Sequence, residues 1–248
     1  MRIISWNIYK DNRDIHKAIA FLKDQKADII CLQEFPVEHV NLLDGLGLNI
    51  ALCDEVLIYK DHKKPDVKLY SVIASRFHIE KHAIVEHKNQ YERVSGINKQ
   101  YHHFKADSCY VDVAADGELF RIFNVHFKSV AGPYHRLSQF KEVIEHLARD
   151  RQNIICGDLN TFGKPLLNLF VWKYFGYKIH EIKMHEGKIL RVLLNLYGFK
   201  NPFHGYFTFL KFPAQLDYIL VPAHFDIKLK RRFLHFHGSD HFPLLLEI

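Results

Sequence analysis

Cysteine is scarce: Cys31, Cys53, Cys109 and Cys156 are the only four in 248 residues, and they stand far apart. That spacing excludes a disulfide framework or a cysteine-rich zinc module, and three of the four sit inside apolar runs, as buried thiols of a reducing compartment do. No stretch approaches the roughly 18 uncharged apolar residues of a membrane-spanning helix. Repeats, low-complexity tracts and linker-like segments are also missing, so one domain over residues 1–248 is expected. Met1–Arg2 leads straight into a strand-like segment with no secretory leader pattern. A cytoplasmic monomer is the simplest expectation from these absences.

What is present is a large apolar fraction, 48%, enough to bury the core of a two-layer or four-layer domain. Lys and Arg number 34 against 28 Asp and Glu, a net charge of +6 with histidine neutral. This modest excess weakly favours an anionic partner such as nucleic acid or a phosphorylated surface, and serves solubility equally well. The 18 histidines add charge below about pH 6.5.

Along the chain, Arg2–Ile8 reads as a strand and Asp14–Lys26 as a helix with Ile15, Ala18, Ile19 and Leu22 on one face. Ala27–Leu32 is a near-continuous apolar strand, so the first 32 residues form a βαβ unit with parallel strands. Asn7 and Glu34, each following a strand end, then become spatial neighbours. Val37–Leu46 reads as a short helix, followed by strands over Ile50–Tyr59, Lys68–Arg76, His78–Glu86, Asp107–Ala115 and Leu119–Phe127. Asp116–Gly117 marks a hairpin turn. Lys60–Lys68 reads as a solvated loop and Glu86–Phe104 as a long loop. Pro133–Arg149 is the clearest helix, Lys164–Phe175 is helical, and Lys178–Tyr197 is ambiguous. Strands are expected at Ala214–Val221, Asp226–Phe236 and Phe242–Ile248.

Asn153–Thr161, NIICGDLNT, is a buried strand that delivers Asp158 and Asn160 to its C-terminal end. Trp6–Asn7, Gln33–Glu34 and Ser239–Asp240–His241 flank apolar runs in a similar way. Carboxylates and amides at strand ends, with a histidine beside a carboxylate, make the oxygen-rich surroundings that Mg²⁺ or Mn²⁺ prefers over zinc. Such a site suits phosphoester hydrolysis. Asp217, inside an apolar strand, calls for a partner, because an unpaired buried carboxylate is costly.

Six ordered motifs, Ser5–Trp6–Asn7, Leu32–Gln33–Glu34, Asn124–Val125–His126, Gly157–Asp158–Leu159–Asn160, Leu216–Asp217–Tyr218–Ile219 and Ser239–Asp240–His241, resemble those of the endonuclease/exonuclease/phosphatase superfamily, from residue 2 to residue 247. Ser71–Arg76 is similar to the family's SR strand. The resemblance implies a deoxyribonuclease I-like α/β fold, a four-layer α/β/β/α sandwich with two mixed β-sheets. It implies Glu34 as the main metal ligand, Asn7 beside it, and Asp240 as a further ligand or partner of a metal-bound water. Asp158, helped by Asn160, would position or activate water. His241, oriented by Asp217, would contact the scissile phosphate, with His126 as a second phosphate-facing imidazole.

Departures from the family pattern narrow the choice. Tyr9 stands where abasic-site endonucleases carry an acid, and His126 where they tend to carry tyrosine, so the chain is nearer histidine-containing members such as tyrosyl-DNA phosphodiesterase 2. Gln215 replaces the usual basic residue two positions before Asp217. Arg136 and Gln139 match a recurring Arg–x–x–Gln pair, in which Arg136 either reaches the phosphate region or makes an exposed helix salt bridge. Tyr206, like Phe207, sits in a loop where it can stack on bases or close over the core edge. The basic segment Lys228–Arg232 either tracks a phosphate backbone or forms a solvated face. The expected function is a Mg²⁺- or Mn²⁺-dependent phosphodiester hydrolase, a nuclease or DNA-end-processing enzyme with nucleic acid as partner. Its rivals are a phosphoinositide phosphatase or sphingomyelinase-like enzyme, with a lipid or inositol phosphate as partner and Leu166–Tyr174 as membrane-facing loop, and an inactive binding module of the same fold.

Overall fold

The computed structural model describes residues 1–60, 64–88, 107–129, 131–162, 168, 177 and 179–248, with only the backbone described for 56–60 and 64–68. In chain order come β1 (Arg2–Asn7), α1 (Ile15–Asp24), β2 (Ile29–Pro36), a 3-10 helix (Val37–Leu46), β3 (Asn49–Lys60), β4 (Lys64–Ser75), β5 (Ile79–Val85), β6 (Ser108–Ala115) and β7 (Glu118–His126). Then follow α2 (Pro133–Ile144), β8 (Gln152–Asp158), a 3-10 turn (Ile179–Glu181), α3 (Glu186–Leu196), β9 (Phe199–Lys200), β10 (Asp217–Pro222), β11 (Leu229–Arg232) and β12 (Leu244–Glu247). One sheet has the order β11-β12-β1-β2-β4-β3, and the other β5-β6-β7-β8-β10-β9. Each is mixed: β1 runs parallel to β2 and β7 parallel to β8, and the remaining pairs are antiparallel.

The alternation of side chains along each strand builds the layers. Ile3, Ile29, Cys31 and Cys53 of the first sheet meet Cys109, Val111, Ile154 and Cys156 of the second in the central core. On the outer face of the first sheet, Ile4, Trp6, Ile30 and Leu32 receive Ile15, Ala18, Ile19 and Leu22 of α1. On the outer face of the second, Phe123, Val125 and Ile155 receive Phe140 and Val143 of α2 and Leu190 and Leu194 of α3. This is the expected α/β/β/α sandwich. The four cysteines are free and buried. No helix among the described residues is long and apolar enough to cross a membrane.

Several boundaries differ from the sequence expectation. In the supposed loop Lys60–Lys68, the described residues are strand, since β3 and β4 stay paired, with register shifts about Val56, out to Lys60 opposite Lys64. Helix α2 stops at Ile144, short of Arg149, where the Asn153 side chain binds both the N–H and the carbonyl of Ala148 and fixes a non-helical turn. The Val37–Leu46 segment winds as a 3-10 helix. The ambiguous Lys178–Tyr197 resolves into the 3-10 turn and α3. The Asp226–Phe236 strand shrinks to β11. The expectations for Glu86–Phe104 and Lys164–Phe175, including Leu166–Tyr174, fall mostly outside the described residues.

Candidate active site

Both parallel pairs point their C-terminal ends at one place. In the first sheet, Asn7 ends β1 opposite Gln33 of β2, with Glu34 next in line. In the second, His126 lies opposite Asp158, and Asp158 opposite Asp217 on β10, so three functional side chains stand side by side in register. Gly157 makes the close β7–β8 approach possible, as a Cβ there would collide with the Val125 carbonyl, and its φ of 134° suits glycine. Tyr9, Glu34 and Asn160 all take left-handed backbone conformations as the chain leaves these strands, at φ of 65°, 56° and 50°. Strain of this kind persists where surrounding bonds over-determine it. Here the Glu34 N–H is caught by both Glu55 oxygens at 3.1 and 2.9 Å, and the Asn160 N–H by Asp158 Oδ1 at 2.8 Å.

The structure brings together Asn7, Glu34, His126, Asp158, Asn160, Asp217, Asp240 and His241. Asn7 Nδ2 donates to Glu34 Oε1 at 3.1 Å and to Asp158 Oδ2 at 3.2 Å, while its Oδ1 accepts from the Tyr9 N–H. His241 Nδ1 bonds Asp217 Oδ2 at 2.8 Å, which leaves Nε2 at 3.7 Å from Asp158 Oδ2 and 3.8 Å from Asp240 Oδ1. His126 Nδ1 bonds Glu55 Oε1 at 2.5 Å, which leaves Nε2 at 3.9 Å from Asp158 Oδ2 and 3.8 Å from Glu34 Oε1. Two acid-held imidazoles therefore converge on one carboxylate oxygen. Ligand atoms of Asp158, Asp217 and His241 lie within 4.8 Å of one another, a cluster able to hold a divalent ion. Asn160 Nδ2 is committed to the Phe127 carbonyl at 2.8 Å.

Sequence reasoning passed over Glu55. Fully buried on β3, it serves the Glu34 N–H, the Ser71 hydroxyl at 2.8 Å and His126 at once. Strand parity was the available signal, because Ala51, Cys53 and Glu55 share one buried face. Asn124 crosses between the sheets: its Nδ2 donates to the Leu32 and Val72 carbonyls, and its Oδ1 accepts from Gln33 Nε2. The Ser239–His241 turn is fixed by the Ser239 hydroxyl, which donates to the Asn7 carbonyl at 2.7 Å and accepts the His241 N–H at 2.9 Å, and by the Trp6 indole N–H on the His241 carbonyl.

Two substrate-side expectations lie elsewhere. Arg136 is buried within the α2–α3 layer, its guanidinium on both Glu186 oxygens at 2.9 Å, the Tyr177 hydroxyl at 2.7 Å and the Ala131 carbonyl. It makes neither an exposed salt bridge nor a contact with the acid–histidine cluster. Tyr206 packs edge-on to Phe203 under Lys230 and Arg232, by the central core. An open hollow of about 790 Å³, lined by Tyr9, Lys10, Arg13, Glu38 and His39 among others, adjoins the site.

Burial pushes the imidazolium of His126 down, but the charge and hydrogen bond of Glu55, then Asp158 and Glu34, raise it to about 10. For His241, burial is likewise outweighed by Asp217 and Asp158, and its pKa rises to about 9. Burial and the nearby Asp217 raise Asp158 to about 6 against the opposing pull of His241, His126 and the Asn160 N–H. Histidines charged more readily in the folded than in the unfolded chain stabilise it fully below about pH 6.5, and that contribution fades as pH climbs through the folded values. With EDTA present, the melting temperature should fall between pH 6.5 and 10, and the double variant His126→Gln/His241→Gln should flatten that fall. An unchanged slope in the double variant would show that other groups control it.

A sandwich of this layering, with acids, amides and acid-paired histidines at its strand ends, defines the deoxyribonuclease I-like class. The chain belongs to the endonuclease/exonuclease/phosphatase family, whose sequence model matches residues 4–241. Among solved structures it is similar to an endonuclease/exonuclease/phosphatase from Beutenbergia cavernae, with a TM-score of 0.74 and 13% identity over 99% of this chain and 70% of that one. It is also similar to the 3′ phosphatase NExo from Neisseria bound to a product DNA hairpin, with a TM-score of 0.66 and 16% identity over 100% of this chain and 98% of that one. A third likeness is to truncated Caenorhabditis elegans TDP2, with a TM-score of 0.60 and 15% identity over 99% and 95% of the two chains. At such identities the likeness shows the fold. No curated protein sequence matches the chain.

Proposed function

We propose that the protein is a divalent-metal-dependent phosphodiester hydrolase that acts on nucleic acid, as a nuclease or an end-processing phosphodiesterase. The observation that carries this reading is the convergence of His126 and His241 on Asp158 Oδ2, beside the oxygen donors Glu34 and Asp240. The donor set fits Mg²⁺ or Mn²⁺: Glu34, Glu55, Asp158, Asp217 and Asp240 outnumber the two imidazoles, and the buried Asp217 Oδ1 has no hydrogen-bond partner among the described residues. Glu34 and Asp240 would hold the ion, with Asn7 beside them. When bound, it supplies Lewis-acid neutralisation of phosphoryl charge.

The chain's own groups do the rest. Asp158, its Oδ1 fixed by the Asn160 N–H, orients the attacking water and takes its proton as the water oxygen bonds to phosphorus. The ester P–O bond breaks, and the leaving oxygen departs as an anion that solvent protonates. His241, fixed by Asp217, hydrogen-bonds the phosphoryl group from Nε2, and His126, fixed by Glu55, does so from its own Nε2.

The net charge of +6 supports a nucleic-acid substrate, as does the DNA hairpin held by the Neisseria relative. A second reading, a lipid or inositol phosphate, draws on an apolar rim: Phe207, Leu210, Leu234 and Phe236 are 45%, 52%, 66% and 38% exposed. Phe207 and Phe236 both touch Phe242, next to His241. An inactive binding module has little reason to aim two buried acid–histidine pairs at one carboxylate oxygen. Purified protein supplied with Mg²⁺ or Mn²⁺ should hydrolyse bis-(p-nitrophenyl) phosphate, and EDTA should abolish the activity. In a panel of single- and double-stranded DNA, RNA, 5′-tyrosyl DNA and phosphoinositides, nucleic acid should be cleaved fastest. A preference for phosphoinositides would select the second reading, and full activity in EDTA would sink both.

A further inference from the structure

Position 215 supplies no charge to the site: Gln215 turns its amide to Asn201, with bonds of 3.1 and 3.2 Å, and to the Asp217 carbonyl. Yet carboxylates outnumber imidazoles around Asp158, so an approaching phosphodiester anion meets more acid than base. A cation arrives from four residues earlier in the chain. The segment joining β9 to β10 is tied down at three points. Thr208 Oγ1 accepts the Leu216 and Asp217 N–H groups, the Leu210 N–H donates to the Asp240 carbonyl at 2.8 Å, and Phe209 pairs with His241, their rings 4.8 Å apart. So anchored, it presents Lys211 at the mouth, with Nζ at 2.7 Å from Asp240 Oδ2 and over the rings of Tyr9 and Phe209 at 5.8 and 5.6 Å.

We propose that Lys211 is the phosphate-binding cation of this site, exchanging Asp240 for a phosphoryl oxygen of the substrate. The inference rests on the phosphoesterase reading. Asp240 lies between Lys211 Nζ, at Oδ2, and His241 Nε2, 3.8 Å from Oδ1. An anion held by His241 is therefore within one carboxylate's width of the ammonium. The exchange is open to the lysine, whose side chain is 60% exposed against 15% for Asp240, so the ammonium reaches solvent without unpacking the core. Its flexible stem and rotatable donors let the ammonium swing between acceptors. The flanking rings keep that swing at the mouth.

The test compares wild type, Lys211→Met and Lys211→Arg with bis-(p-nitrophenyl) phosphate at saturating Mg²⁺, and measures binding of inorganic phosphate by calorimetry. Lys211→Met should raise KM and weaken phosphate binding by roughly tenfold to a hundredfold, the usual worth of a charge-assisted hydrogen bond. Lys211→Arg should recover most of both. Unchanged KM and phosphate binding in Lys211→Met would overturn the proposal. So would a shift confined to the Mg²⁺ titration, since Lys211 would then act only by placing Asp240. A wild type with no hydrolysis would overturn the phosphoesterase reading, and phosphate binding alone would then decide for or against Lys211.

Discussion

Glutamine in place of His241 should lower turnover of bis-(p-nitrophenyl) phosphate by about a hundredfold to ten-thousandfold, the usual effect of removing a positioned proton donor or fixed charge. Its Nδ1 is committed to Asp217, so Nε2 is the ring atom left to face the cluster. With the pKa raised to about 9, the ring is cationic at neutral pH before substrate arrives. Charge that develops on the phosphoryl oxygens then meets a preset imidazolium away from bulk water, where electrostatic effects are strong. Glutamine is the apt replacement because its amide can still reach Asp217. Alanine would strand a buried carboxylate whose Oδ1 already lacks a partner among the described residues, at a cost of about 1–3 kcal/mol. If His126 and His241 clamp the same phosphoryl group, the double glutamine variant should be little slower than the worse single variant, since groups that act as a unit are not additive. Turnover at saturating Mg²⁺, with thermal unfolding as the folding control, measures this. Wild-type turnover by His241→Gln would move the chemistry elsewhere.

Most acids and amides of this cluster were legible because they flank an apolar run. Asn7, Glu34, Asp158 and His241 are marked by neighbours in sequence, and the parallel βαβ rule alone made Asn7 and Glu34 adjacent. Glu55 carries no such mark. Its partner His126 is 71 positions away on the other sheet, so the bond exists only once the two sheets are stacked. Asn124 was visible as a motif residue, but its task of tying Leu32 and Val72 across the sheets was not. The strand pairing out to Lys60 and Lys64 was hidden by its charged, proline-containing sequence, which lacks the apolar alternation that announces a strand. Arg136 was misplaced for a related reason. Helical periodicity identified its helix but could not show that α3 would bring Glu186 over it.

Replacement of Arg136 by alanine should then act on stability and leave the chemistry alone. Both side chains of the Arg136–Glu186 pair are fully buried, and the guanidinium fork meets both carboxylate oxygens. Burial disfavours its charge, but Glu186 and then Tyr177 outweigh that and raise its pKa above the ordinary value. Removing one partner leaves Glu186 as an uncompensated buried charge, at a cost of about 3–5 kcal/mol. For a chain of this size that corresponds to a fall in melting temperature of roughly 10 °C. The fold, not the pair itself, is what the single variant loses. An apolar double variant, Arg136→Met/Glu186→Leu, should therefore melt well above either single variant, since two buried charges exchanged for hydrophobic groups of similar volume often leave stability intact. KM for bis-(p-nitrophenyl) phosphate should match wild type in every variant that remains folded, because the guanidinium faces α3 and not the acid–histidine cluster. A normal melting temperature with a raised KM in Arg136→Ala would return Arg136 to the substrate side.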